Sequence, residues 1–98
     1  MALLQFTITL AGTSTPVQGT ATRTPFYAIR VENDIGNAIA YYGTKDITTT
    51  SYAGTILPNT ATATNVMQID GIPAIVSSLD EFWFLGTDSQ KLRITLIS

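Results

Sequence analysis

Apolar and polar residues alternate with period two over most of this chain. Leu4, Phe6, Ile8 and Leu10 are separated by Gln5, Thr7 and Thr9, which predicts a half-buried strand over residues 3–10. Residues 11–25 interrupt the pattern with Gly12, Pro16, Gly19, Pro25 and five threonines, and predict a long polar connection. Over Phe26–Gly43 the alternation resumes. Two runs rich in aromatic and β-branched residues flank Asn33-Asp34-Ile35-Gly36-Asn37, the pattern of a β-hairpin. With Asp34-Ile35-Gly36 as the loop, Gly36 takes the positive-φ position of a three-residue turn. That register sets Val31 opposite Ile39, Ile29 opposite Tyr41, and Tyr27 beside Gly43. It predicts a core face of Tyr27, Ile29, Val31, Ile39 and Tyr41. Phe26, Ala28, Arg30, Glu32, Ala38, Ala40 and Tyr42 make a mixed second face.

Further along, short strands are expected near Asp46–Thr49 and Gly54–Leu57, with a type II turn centred on Pro58-Asn59 and another strand at Asn65–Asp70. Ala74–Leu79 reads either as a strand or as a short helical turn. A second hairpin is expected to join Glu81–Gly86 to Lys91–Ile97. A three-residue loop, Asp88-Ser89-Gln90, groups Phe82 and Phe84 with Leu92, Ile94 and Leu96; a four-residue loop groups Trp83 and Leu85 with them instead. The first is preferred because it buries two phenylalanines and leaves Trp83 on the face of Arg93, although it asks Gln90 for a conformation that suits glycine better. The expected fold is therefore all-β: a small antiparallel β-sandwich or barrel of about six to eight strands. It forms one domain over residues 1–98, with an N-terminal strand and arm (1–25).

Composition narrows the function. Of 98 residues 45% are hydrophobic and only 12% charged, where about 25% is ordinary. Low charge and high hydrophobicity argue against disorder. Seventeen threonines favour extended backbone over helix. Five basic against seven acidic side chains, with Arg23, Arg30, Lys45, Lys91 and Arg93 scattered, make a nucleic-acid partner unexpected. No apolar run approaches the roughly 18 residues of a membrane span. The N-terminus alternates like a strand and lacks the basic start and apolar core of a signal peptide, so cytoplasmic synthesis without processing is expected.

The chain has no cysteine and no histidine, which removes thiolate zinc sites, disulfides and the commonest general base. Asp80-Glu81 is the only adjacent carboxylate pair, and strand neighbours point to opposite faces, so the two do not converge. Ser77-Ser78 lies near no candidate base. Asn33, Asp34 and Asn37 offer oxygens to Ca²⁺ but are also what a tight turn uses, and the turn reading is taken. No catalytic residue, cofactor or metal is expected. Phe26, Tyr42, Tyr52 and Trp83 fall outside the preferred core; on a low-charge surface, exposed aromatics mark protein contacts.

Two segments resemble a known family. Val31-x-Asn33-x-x-Gly36-Asn37-x-Ile39-x-Tyr41-x-Gly43-x-x-Asp46-Ile47-Thr48 resembles a hairpin of small tailed-phage virion proteins. Leu79-Asp80-x-Phe82-x-Phe84-x-Gly86-Thr87, followed by a basic-aliphatic strand, is similar to their closing hairpin. Between them, Gly54, Leu57 and Asn59-Thr60 stand where the family has a glycine–leucine–glycine turn. The chain departs from the pattern at Gln90, often glycine there, and in its longer Asn59–Leu79 segment. The resemblance implies an accessory protein of a phage particle, a capsid decoration (cement) protein assembled as homotrimers on the major capsid protein, at the surface of the virion. Arg30, Tyr42, Trp83 and Arg93 are the expected interface residues. The alternative is a glycan- or host-binding module of a fibre, with Trp83, Tyr42 and Tyr52 as a stacking platform; a small hydrolase is least favoured. One consequence is local: Gly36→Val should cost more than about 1 kcal/mol, and an unchanged melting temperature would place the loop elsewhere.

Overall fold

The computed structural model describes residues 2–62, 65–70 and 77–98. Among them are ten strands: β1 (Leu3–Thr9), β2 (Gly12–Gln18), β3 (Pro25–Phe26), β4 (Ala28–Asn33), β5 (Ala40–Gly43), β6 (Gly54–Ile56), β7 (Val66–Asp70), β8 (Ser77–Ser78), β9 (Trp83–Gly86) and β10 (Lys91–Ile97). They pair antiparallel into two four-stranded sheets, β1-β10-β4-β7 and β2-β9-β5-β6, while β3 and β8 form a separate two-stranded ladder. Each strand of the first sheet has its chain neighbour at the matching place in the second: β1 with β2, β10 with β9, β4 with β5, and β7 with β6. The four links between these partners all lie at one end, because β1, β4, β6 and β9 run toward it. Two sheets in this order make a jelly roll, the all-β sandwich built from two Greek keys.

The inner faces meet in one cluster that holds Ile29 and Val31 of β4, Leu92, Ile94 and Leu96 of β10, Phe84 of β9, Ala40 of β5 and Ile56 of β6. Burying a large aliphatic or aromatic side chain stabilises by roughly 1.5–3 kcal/mol, so this cluster is the main source of stability. Phe26 and Leu79 close the far end, and the Phe26 ring lies 5.6 Å from Phe82.

The all-β sandwich expected from the alternation is thus present, and the strands at residues 3–10, 54–57 and 65–70 are where they were expected. Both expected hairpins are not. β4 and β5 lie in different sheets, as do β9 and β10, so each pair is an arch across the core and not a ladder. A ladder ties the parity of one strand to the other through its turn; an arch leaves the two independent. Accordingly Ile29 and Val31 are buried as expected, but in β5 it is Ala40 and Tyr42 that face the core, while Ile39 is exposed. Tyr27 is exposed too. It sits at the break between β3 and β4, where its N–H bonds Ile97 O at 2.7 Å, and that break turns Phe26 inward. Of the preferred grouping, Phe84 lies with Leu92, Ile94 and Leu96, though across the sandwich, and Phe82 packs against them only partly buried, while Leu85, left out of that grouping, is fully buried as well.

The long connection at 11–25 instead contains β2 and β3, so residues 3–18 belong to the sandwich and form no free arm. Gly12 and Pro16 hid β2. Both are tolerated because it is an edge strand whose register shifts between Gly12 and Val17. Asp46–Thr49 is loop, not strand, and Asn59 does not take positive φ; among the described residues the non-glycine that does is Ser89, not Gln90. Gly36 has φ +83°, as its turn requires. Ala74–Val76 lie outside the described residues; beyond them β8 leads into a 3-10 turn at Leu79–Glu81.

The end carrying the four links is joined by two buried amides. Asn33 Nδ2 donates to Ala38 O (2.9 Å) and Ile56 O (3.3 Å), and its Oδ1 accepts from Asn37 Nδ2 (3.1 Å) and Gln90 Nε2 (2.9 Å). Gln90 Nε2 also donates to Ala38 O (2.8 Å), and its Oε1 accepts from Thr87 N–H (3.1 Å). Backbone bonds add the rest: Leu10 N–H to Gln90 O (2.7 Å), Ser89 N–H to Leu10 O (2.9 Å), and Asn59 N–H to Asn33 O (3.1 Å). All four links therefore meet at Asn33 and Gln90. Asn33→Ala strands several buried donors and acceptors at once and should cost at least about 2 kcal/mol in denaturant unfolding. A loss below about 0.5 kcal/mol, the range of an ordinary surface change, would remove the network from this role.

Candidate interaction surfaces

Strand alternation sorts the remaining side chains onto two outer faces. On the β1-β10-β4-β7 sheet the rows are Thr7, Arg93 and Glu32, then Gln5, Thr95 and Arg30, as the Cα register sets them. Arg30 Nη2 lies 3.7 Å from Glu32 Oε1, and Arg93 pairs with Asp34. Each of these two arginines meets a carboxylate, and Lys91 stands exposed on the same face of β10 as Arg93. A shallow depression of about 420 Å³ lies between Gln5, Thr7, Glu32, Arg93 and Thr95.

The outer face of the second sheet is more apolar. Tyr41 of β5, Thr55 of β6, and Trp83 and Leu85 of β9 point to this side, with Leu85 fully buried. The loop between β5 and β6 folds back over it, tied by Ala53 N–H to Tyr42 O at 2.8 Å. Ile47 is buried beneath this loop, where a Cβ built on Gly43 would meet its Cδ1 at 3.5 Å. Tyr52 packs against Tyr41, the ring centroids 4.8 Å apart and the planes tilted by 53°. Ile39 and Leu57 flank the inward-facing Ala40 and Ile56 pair, so alternation turns both outward, and they are 44% and 48% exposed. Ile39, Leu57, Tyr41 and Tyr52 thus form an apolar strip along the short edge strand β6.

The four expected interface residues do not form one site. Arg30 and Arg93 share the outer face of one sheet, and Trp83 lies half-buried on the outer face of the other, not on the face of Arg93. Tyr42 points inward and packs against the core cluster. Phe26, also expected outside the core, is buried. The proposed aromatic platform therefore loses Tyr42 and gains Tyr41, which the hairpin register had placed in the core.

Asp80 and Glu81 lie in the 3-10 turn and not in a strand. Ser78 is buried, donates from Oγ to the Asp80 carboxylate and accepts from Thr24 N–H at 2.8 Å; Gln18 Nε2 donates to Asp80 O at 2.8 Å. Glu81 faces Arg23 at 3.8 Å. These groups fasten the second end of the sandwich. Asn33 and Asn37 spend their oxygens and amides inside the arch, and Asp34 pairs with Arg93. Among the described residues no three acidic, histidine or cysteine side chains cluster as metal ligands would.

The class so defined is a jelly-roll sandwich with two unlike outer faces and a welded arch end. Comparison with protein-family models, with curated proteins and with solved structures finds no match. The placement of the tyrosines is directly testable. Tyr42→Ala should destabilise by about 2 kcal/mol through lost core packing, whereas Tyr52→Ala should stay within about 0.5 kcal/mol. Equal effects in thermal melts would mean that the β5 face is assigned wrongly.

Proposed function

We propose that the chain is a structural protein of a bacteriophage particle, a capsid decoration (cement) protein that binds the major capsid protein and stabilises the head shell. The observation that carries this reading is the apolar strip of Ile39, Leu57, Tyr41 and Tyr52 on a chain with very few charges. Such a strip fits a broad, shallow protein contact. Support also comes from the family resemblance and, as an analogy of fold, from the recurrence of jelly rolls in viral capsid domains. Repetition of a weak contact over a shell lattice stabilises through avidity and needs no deep pocket. In this reading the chain is made in the host cytoplasm, self-associates as a homotrimer, and acts at the capsid surface. Trp83 and the strip contact the capsid protein, Arg30 and Arg93 line a second contact, and Tyr42 supports the strip from inside.

Tyr41, Tyr52 and Trp83 on one outer face also favour a second reading, a glycan-binding module of a head or tail fibre. The deciding experiment adds purified chain to heads assembled without it, and screens the same protein on a glycan array. Decoration predicts saturable binding that raises the temperature at which heads open, weakened at least tenfold by Leu57→Ser. A monomer that leaves heads unchanged would end this reading, and array binding lost in Tyr52→Ala would establish the second.

A further inference from the structure

A sheet edge shows unpaired backbone donors and acceptors, and proteins guard such edges with proline, bulges, charge or brevity. The outer edges here are β1 and β7 in one sheet, β2 and β6 in the other. β2 carries Pro16 and a register shift, and β6 has three residues. β7 has five and ends on Asp70. β1 has none of these guards. It is seven residues, Leu-Leu-Gln-Phe-Thr-Ile-Thr, without charge, proline or glycine, in unbroken register with β10 from Leu3 opposite Ile97 to Thr9 opposite Lys91. No described strand covers its other side.

The free groups can be assigned. Ala2 and Ser98 exchange both backbone bonds, at 2.8 and 3.0 Å, and Leu10 N–H bonds Gln90 O at 2.7 Å. Antiparallel bonding alternates, so the even residues of β1 bond β10 while Leu3, Gln5, Thr7 and Thr9 point N–H and C=O away from the sheet. We propose that this edge joins two copies of the chain, with β1 pairing antiparallel to itself about a two-fold axis through Phe6. Odd residues must meet odd residues for their free groups to bond. Centring on Phe6 sets Leu3 against Thr9 and Gln5 against Thr7, and it uses the whole strand. Centring on Gln5 or Thr7 leaves strand unpaired.

Side chains agree with a second copy as occupant. On the core side, Leu4 meets Ile8 and Phe6 meets Phe6. Leu4 and Phe6 are only partly buried at the margin of the core, and this pairing would cover them. On the outer side, Gln5 and Thr7 form uncharged polar pairs, so nothing repels like from like. A two-fold contact of this kind is isologous and closes on itself. It uses neither Trp83 nor the apolar strip, and it leaves the three-fold contact of the proposed homotrimer to other surfaces, so that in a decorating protein it would join one trimer to another.

The test uses the chain alone. It has no cysteine, so oxidation of mixed Gln5→Cys and Thr7→Cys proteins reports the register directly. The mixed disulfide should exceed either self-crosslink at least fivefold. Gln5→Glu with Thr7→Glu sets carboxylates directly opposite one another across the dimer seam, in addition to the same-face neighbours within each strand, and should weaken association at least tenfold in sedimentation, with circular dichroism unchanged. Gln5→Lys with Thr7→Glu should restore it. A wild-type monomer at every concentration, a crosslink without preference for the mixed pair, or a folded double-glutamate protein that associates normally each overturns the proposal. Head binding by a protein that forms no β1 crosslink overturns this proposal alone; crosslinking without head binding overturns the decoration reading alone.

Discussion

The side chains of Asn33 and Gln90 hold together the end of the sandwich at which its two sheets are joined. Neither sheet contains a hairpin between β4 and β5 or between β9 and β10, so no ladder holds those connections in place. The arches must be fastened by something else, in a region where water cannot satisfy loose backbone groups. The two amides do this, and Asn33 does so with its full capacity. Asn33 uses both donors and accepts twice, and Gln90 bonds three groups. Among the described residues no buried side-chain donor or acceptor lacks a partner. An apolar pair of the same shape would pack as well but would leave Ala38 O and Ile56 O bare, at a cost of about 1–3 kcal/mol each.

This constraint also shapes the outer faces. Because the chain crosses the core at each arch, neighbours in sequence stack over one another instead of lying side by side. The strands that end up side by side, such as β1 with β10 and β4 with β10, are brought together from distant parts of the chain. Arg93, Glu32 and Thr7 form one row only for that reason. The same crossing separates Trp83 from Arg93 although ten positions apart in a seemingly continuous hairpin. What the surface offers is therefore a product of topology before it is a product of local sequence.

Alternation was informative about depth and uninformative about neighbours. Leu92, Ile94, Leu96, Ile29 and Val31 all sit in the core, as period two requires of a half-buried strand. But strand, polar loop and strand look alike whether the second strand lies beside the first or across from it. The assumption of a ladder then carried its register into β5 and assigned the wrong side to Tyr41 and Tyr42. β2 was lost for a different reason: Gly12 and Pro16 are breaker signals, and an edge strand can carry both. The role of Gln90 could not be read at all. It looked like a poor substitute for glycine at a turn, whereas the positive φ falls on Ser89 and Gln90 is present for its amide. Long-range polar pairing leaves no periodic trace.

The network and the candidate surface are also physically linked. Ile39 follows Ala38, whose carbonyl accepts from both Asn33 and Gln90, and Leu57 follows Ile56, whose carbonyl accepts from Asn33. The two most exposed aliphatics of the strip are thus displayed on backbone that is already fixed from below. A contact made by such residues does not have to order a loop on binding, which for each mobile side chain and its backbone can cost on the order of 1 kcal/mol or more. Tyr52, on the folded-back loop, is held by Tyr41 in the same sense. A small protein with few charges can compensate for modest contact area by presenting it rigidly, and the buried amides are what make that presentation rigid.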